Sequence, residues 1–241
     1  MLILGIDDSG RGPVIGPMVI SGVLIKEREE SKLRELGVKD SKKLSSKRRN
    51  SLADKIKKYA IDFSILLITP TEIDERNSTG VNLNKLEAIK SAQIINDLVK
   101  DTKINEKIKI IIDCPSNNIE KWRSYLLKHL DEEIWKRIDK NIILICEHKA
   151  DSKYIACSAA SILAKVTRDN EINEIKKRLC VEFGSGYPSD PITKKFLEEY
   201  GKKHRKDGIF RETWSTWKRS ILRKEQTTSV SYTHLTLPTK A

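Results

Sequence analysis

Four aspartates carry the strongest chemical signal in this chain of 241 residues. Asp7 and Asp8 follow the apolar run Leu2-Ile-Leu-Gly-Ile6, Asp113 follows Lys107-Ile-Lys-Ile-Ile-Ile112, and Asp151 comes shortly after Asn141-Ile-Ile-Leu-Ile-Cys146. Each stands at or just beyond the C-terminal end of a segment that reads as a strand. In open α/β sheets that is where side chains far apart in sequence gather. Converging carboxylates with no Cys or His among them are hard oxygen ligands, suited to Mg²⁺ or Mn²⁺ rather than zinc. A pair of such ions can activate a water and stabilise the leaving oxygen of an in-line phosphodiester displacement. Taken singly, each Asp also reads as a turn or capping residue; the grouping is what argues for chemistry. Successive strand residues point to opposite faces, so Asp7 and Asp8 share a site only if the chain leaves the strand at Asp8. The Ser9-Gly10-Arg11-Gly12 segment is expected to supply that exit.

Gly10-Arg11-Gly12 sets two conformationally permissive residues around a cation, which lets backbone N–H groups approach a sugar or phosphate. It is not a dinucleotide fingerprint, because no third spaced glycine and no immediate helix follow, and no Walker A loop is present. Arg11 by itself also fits a surface arginine bracing a turn. Lys42 and Lys43, within Asp40-Ser-Lys-Lys-Leu44, suit phosphate contacts. Tyr187, just before Pro188, reads either as a core tyrosine or as an aromatic that packs on a sugar or base.

Lys and Arg number 46 against 34 Asp and Glu, a net charge of +12, with a sequence pI of 9.4. That balance favours a polyanionic partner such as nucleic acid, although a lysine-rich surface also serves solubility. A hydrophobic content of 38 % with 33 % charged residues describes an ordinary globular chain. The four cysteines form no Cys-x-x-Cys pair, which argues against a zinc ribbon or a secreted disulfide framework and for a reducing, cytoplasmic setting. No apolar run approaches the roughly 18 residues of a membrane span. No leader precedes the first acids, so neither membrane nor secretion is expected.

The elements that must position these residues follow from periodicity. Leu2–Ile6 and Met18–Ile25 read as a hairpin, 47–59 as a helix capped by Ser45 or Ser46, and Ala60–Ile68 as a strand. A helix over Asn82–Val99 carries a broad apolar face. After the strand that ends at Asp113, the pattern gives a helix over Ile119–Leu130, the strand Asn141–Cys146 and a long helix over Tyr154–Leu179. Short helices follow over Thr193–Tyr200 and Trp214–Arg223, the latter anchored by Trp214 and Trp217. Alternating strands and helices argue for an α/β sheet covered by helices. Ala159, Ala160 and Ala164, with Ser158 and Ser161, form a small-residue stripe that suits close packing on that sheet.

Gly5-Ile-Asp-Asp-Ser-Gly-Arg-Gly-Pro-Val-Ile-Gly-Pro17 closely resembles the opening motif of the type 2 ribonucleases H, the ribonuclease HII family. Asp40-Ser-Lys-Lys-Leu44, Asp113, His148-Lys-Ala-Asp151, Ser158–Asp169, Gly184–Asp190 and Thr213-Trp-Ser-Thr-Trp217 occur in the family's order. The likeness spans about residues 1–220 and is closest to the archaeal members. It implies an α/β, ribonuclease H-like mixed sheet flanked by helices, with a small C-terminal helical extension. The corresponding domains are a catalytic unit over 1–200 and a substrate-binding extension over 201–225. Residues 226–241, whose Val230-Ser-Tyr-Thr-His-Leu235 resembles a translated sequencing adapter, are read as a non-native or disordered tail.

The resemblance also implies an endonuclease that cuts 5′ to a ribonucleotide in RNA–DNA hybrids or in DNA with embedded ribonucleotides, leaving 3′-hydroxyl and 5′-phosphate ends, in replication and ribonucleotide excision repair. It makes Asp7, Asp8, Asp113 and Asp151 the catalytic and metal-binding acids for two Mg²⁺ or Mn²⁺ ions. Gly10, Arg11 and Gly12 match the loop that reads the 2′-hydroxyl, and Tyr187 matches the tyrosine that packs on the following sugar. A monomer is expected. Family members often reach a sliding clamp through a C-terminal motif, for which this chain's tail gives no support. One departure stands out: the family has Glu then Ala where this chain has Asp8 and Ser9, so the second acid is one methylene short. A related DNA nuclease with the same acids, or a non-catalytic nucleic-acid binder on the same fold, are the competing readings.

Overall fold

In the computed structural model, which describes residues 1–38 and 44–221, five strands form one mixed sheet in the order β3-β2-β1-β4-β5. They are β1 (Leu2–Ser9), β2 (Met18–Lys26), β3 (Asp62–Ile68), β4 (Ile108–Asp113) and β5 (Ile142–Glu147). β1 pairs antiparallel with β2 and parallel with β4, and β4 pairs parallel with β5. Pairing of β1 with β4 stops at Ile6↔Ile112, whereas its pairing with β2 continues through Asp8↔Ile20 and Ser9↔Val19. The strand therefore does not end at Asp8, as the glycine loop suggested. A neighbouring strand holds it extended for one residue more.

The helices are α1 (Glu30–Glu35), α2 (Ser46–Tyr59), α3 (Pro70–Glu75), α4 (Leu83–Val99), α5 (Ile119–Leu127), α6 (Glu132–Trp135), α7 (Ala150–Lys153), α8 (Ile155–Leu179) and α9 (Pro191–Tyr200). A further helical stretch begins at residue 215. Several starts are capped as their residue types dictate: Ser45, Asn82, Asn118 and Asp190 each accept a backbone N–H from the first turn. The short α1, α3, α6 and α7 had no period long enough to read from sequence.

Contacts divide the chain into two units. The first holds the sheet with α2, α4, α5 and the beginning of α8, over residues 1–11, 18–68 and 76–170. Two sequence features set its layers. Gly5 lies against the α8 backbone, where a Cβ would come 2.1 Å from the Ala156 carbonyl carbon and 2.3 Å from the Cys157 nitrogen. Gly22 lies under α4, where a Cβ would meet Ile94 Cγ2 at 2.3 Å. The two glycines face opposite sides of the sheet, so α8 covers one face and α4 the other. On the α8 face Ile3, Val23, Ile111, Ala156, Ala159 and Ala160 are buried together.

The second unit comprises, among the described residues, 12–17, 69–75 and 171–221. Its core joins Val14 and Ile15 to Phe183, Phe196, Phe210 and Trp217. Phe210 and Trp217 stack with centroids 4.2 Å apart, which anchors the last helical stretch. Asp74 accepts from the Glu212 and Thr213 amides at 2.5 and 3.2 Å and so caps the approach to it. Among the described residues no helix is long and apolar enough to cross a membrane.

The close approach at Gly5 gives a direct test. Gly5→Ala must push backbone against backbone, which no rotamer relieves, and is expected to cost more than about 3 kcal/mol. Equilibrium denaturation of the purified variant checks this; a loss below about 1 kcal/mol would mean that α8 tolerates displacement.

Candidate active site

Asp113 ends β4, and the register Ile6↔Ile112 puts Asp7 level with it on the neighbouring strand. Asp151 arrives by another route. The chain leaves β5 at Glu147, turns through Lys149 at φ 57°, and enters α7, in whose first turn Asp151 lies just before α8. The approach of α8 to Gly5 brings this junction up against β1. As a result one carboxylate oxygen each from Asp7, Asp113 and Asp151 lies within 4.8 Å of the others. Asp7 and Asp151 are buried and Asp113 is half-buried.

The surrounding groups hold these carboxylates in place. The Asp8 amide donates to Asp7 Oδ1 at 2.7 Å and the Ala150 amide to Asp113 Oδ1 at 3.3 Å. Ser161 of α8 hydrogen-bonds to the Asp7 carboxylate, and Ser158 of the same helix donates to the Asp151 carbonyl. Burial, with the charges of Asp8 and Asp113 beside it, pushes the Asp7 carboxyl well above the usual carboxylate range. Three close, partly desolvated acids repel one another unless a cation or a proton intervenes. Their all-oxygen donor set fits a hard divalent cation.

Asp8 does not join this trio. Alternation along β1 puts Asp7 with Ile3 and Gly5 on the α8 face, and Asp8 with Leu4 and Ile6 on the α4 face. There Asp8 lines a small cavity with Asp7, Asp113, Glu87, Ser91 and Trp122. Glu87 is an acid that sequence reasoning passed over, buried to 2 % exposure in the apolar stripe of α4. Its signal was a carboxylate at a position of helical period otherwise filled by Leu83, Ile94 and Leu98.

The loop after β1 is braced from below. The Arg11 guanidinium donates to the Pro115 carbonyl at 3.3 Å and to Asn84 Oδ1, and lies 3.5 Å from Glu87 Oε2. Gly10 takes φ 86°, a conformation that favours glycine. Gly12 needs no such freedom: among the described residues a Cβ there would meet only the Tyr187 ring, at 3.7 Å. Within the second unit Tyr187 is thus the neighbour of Gly12, and it is half-buried. Lys42 and Lys43 lie outside the described residues.

A family model described as Ribonuclease HII matches residues 4–217. A ribonuclease HII of Methanococcus maripaludis is 45 % identical over 228 residues, covering 93 % of this chain and 89 % of that one. The crystal structure of the ribonuclease H2 from Pyrococcus horikoshii superimposes with a TM-score of 0.79 at 42 % identity, covering 92 % of this chain and 98 % of that one. The RNase HII in a PCNA:RNase HII complex from Archaeoglobus fulgidus gives 0.74 at 37 %, covering 89 % and 96 %. The mixed sheet with helices on both faces is the ribonuclease H-like fold of these neighbours.

The raised Asp7 carboxyl sets a pH dependence for the metal-free protein. Because the folded value lies above the unfolded one, its stabilising contribution is complete below the unfolded range, around pH 4, and is lost as pH rises through the folded value. In chelator, Asp7→Asn should therefore match the wild-type melting temperature at acid pH and exceed it increasingly towards neutrality. Adding Mg²⁺ should raise the wild type most, by about 2.7 kcal/mol at a hundred times its Kd. Calorimetry across pH reads both effects, and an Asp7→Asn protein less stable than wild type at neutral pH in chelator would contradict the repulsion.

Proposed function

Because this chain belongs to the ribonuclease HII family, whose members are metal-dependent ribonucleases H acting on RNA–DNA hybrids, we propose that it cuts the phosphodiester 5′ to a ribonucleotide, both in hybrids and at ribonucleotides embedded in duplex DNA. The products carry a 3′-hydroxyl and a 5′-phosphate. The observation that carries this reading is the convergence of Asp7, Asp113 and Asp151 within 4.8 Å at adjoining strand ends.

In this reading those three acids, with Asp8 from the other face of β1, would hold two divalent ions, Mg²⁺ or Mn²⁺. When bound, such ions activate the attacking water and neutralise charge on the leaving oxygen. The protein's part is to fix the carboxylates through the Ser161 hydroxyl and the Asp8 and Ala150 amides. Water attacks phosphorus in line, the bond to the upstream O3′ breaks, and that oxygen leaves with a proton.

Ribonucleotide selection falls to the loop of Gly10, Arg11 and Gly12. The 2′-hydroxyl is both donor and acceptor and separates RNA from DNA at a single position. The backbone at Gly12, which among the described residues faces a tyrosine ring at ordinary contact distance, supports close approach by a ribose. Tyr187 packs on the next sugar, Lys42 and Lys43 hold phosphates, and residues 201–225 extend the duplex contact. The protein acts as a cytoplasmic monomer in replication and ribonucleotide excision repair. A sliding clamp is the partner suggested by the Archaeoglobus fulgidus neighbour, which was solved with PCNA.

The test uses end-labelled duplex DNA with one internal ribonucleotide, beside the same duplex in all-DNA form, with Mg²⁺ or Mn²⁺. Cleavage is expected only in the first duplex, 5′ to the ribonucleotide, and Asp113→Asn should reduce it on the order of 10²–10³-fold or more. Equal cleavage of both duplexes would indicate a DNA nuclease, and binding without cleavage a non-catalytic protein. The shortened second acid makes its own prediction: Asp8→Glu should change the ratio of Mg²⁺- to Mn²⁺-supported rates severalfold. Superimposable metal titrations for the two proteins would remove any role for that methylene.

A further inference from the structure

We propose that Glu87, together with Asn84, is a positioning residue for ribose recognition and acts through Arg11; this rests on the reading of the Gly10-Arg11-Gly12 loop given above. The geometry is specific. Asn84 and Glu87 lie three residues apart on one face of α4, and both face the Arg11 guanidinium, at Oδ1 and Oε2. The guanidinium also donates to the Pro115 carbonyl, in the segment that follows the strand-end Asp113. One planar guanidinium thus ties the loop to the first turns of α4 and to the exit of β4, with its donors spread over a rigid fork that a lysine would not reproduce. Trp122 of α5 fixes the same corner by donating from Nε1 to the Asn84 carbonyl at 2.9 Å.

The burial of Glu87 is the second observation. A carboxylate at 2 % exposure, lining one cavity with Asp7, Asp8 and Asp113, adds negative charge where three acids already repel. Such a group is costly unless it is paired with a cation. Arg11 is that cation. Its side chain keeps 35 % exposure while that of Glu87 keeps 3 %, so the pair is anchored at the helix end and open at the loop end. The arrangement holds the Arg11 guanidinium against α4 and the exit of β4. It also fixes the loop backbone at the height set by α4. Glu87 thereby controls how well a 2′-hydroxyl is met and leaves the chemistry of the three aspartates alone.

Steady-state kinetics on the single-ribonucleotide duplex separate this role from a general structural one. Glu87→Ala should raise KM about tenfold, the scale of one lost, partly exposed ion pair, with kcat within about twofold and the Mg²⁺ midpoint unchanged. Glu87→Gln, which keeps the shape and one acceptor, should recover part of that loss. Asn84→Ala, on a less buried residue, should give the same split at smaller size should Glu87→Ala fold poorly. Combined with Arg11→Ala, Glu87→Ala should add almost nothing further, because both act through one contact.

A fall in kcat with a shifted Mg²⁺ midpoint would overturn the proposal by placing Glu87 among the metal-holding acids. Full additivity with Arg11→Ala would overturn it as well. Both outcomes differ from failure of the underlying reading, which shows in the wild type itself as loss of preference for the ribonucleotide duplex.

Discussion

The contact on which the site depends is backbone against backbone: the start of α8 lies on β1 at Gly5 with no room for a single carbon. Any side chain there would lift the helix. Asp151 precedes that helix by one short turn of chain, so the height of α8 above the sheet sets the distance from Asp151 to Asp7 and Asp113. The alanines of α8 serve the same end. Ala156, Ala159, Ala160 and Ala164 are all buried, and each keeps the helix axis close to the strands. Packing of small residues is what places three negative charges together, against their own electrostatic preference.

That opposition explains the polar groups around the site. Ser161 sits in the same small-residue stripe, so its hydroxyl reaches Asp7 because the helix is close, and it offsets part of the cost of burial. Asp8 and Glu87 sit on the other face of the sheet and share a cavity with Asp7 and Asp113. Negative charge thus lies on both sides of the end of β1. Among the described residues the Arg11 guanidinium answers part of it, 3.5 Å from Glu87 Oε2 on the α4 side.

How far this was legible in the sequence follows from what each feature depends on. The strand-end aspartates could be read because an apolar run followed by an acid is a local pattern, and adjacent strand ends converge in any open sheet. The face on which Asp8 lies could not. It turns on whether β1 ends at residue 8 or 9, and the pairing Ser9↔Val19 with a neighbouring strand decides that. Ser161 was read as packing only, since a stripe of small residues gives no hint that one hydroxyl meets a carboxylate of another element. Glu87 was masked by the apolar face around it. A composite unit built from residues 12–17, 69–75 and 171–221 has no local signature, because its three pieces meet only after folding.

Gly10, Arg11 and Gly12 look alike as a loop motif yet are required for three different reasons. Gly10 is demanded by its own backbone angle, and Arg11 by the acceptors beneath it. Gly12 is demanded by neither, since its backbone angle is ordinary and, among the described residues, a methyl group there would find only normal contact with Tyr187. A position that tolerates a side chain among the described residues but carries none fits the proposed approach of a substrate from outside. In a loop held down by Arg11, and in a chain of this family, the group with most to gain from that open backbone is a ribose that carries the hydroxyl DNA lacks.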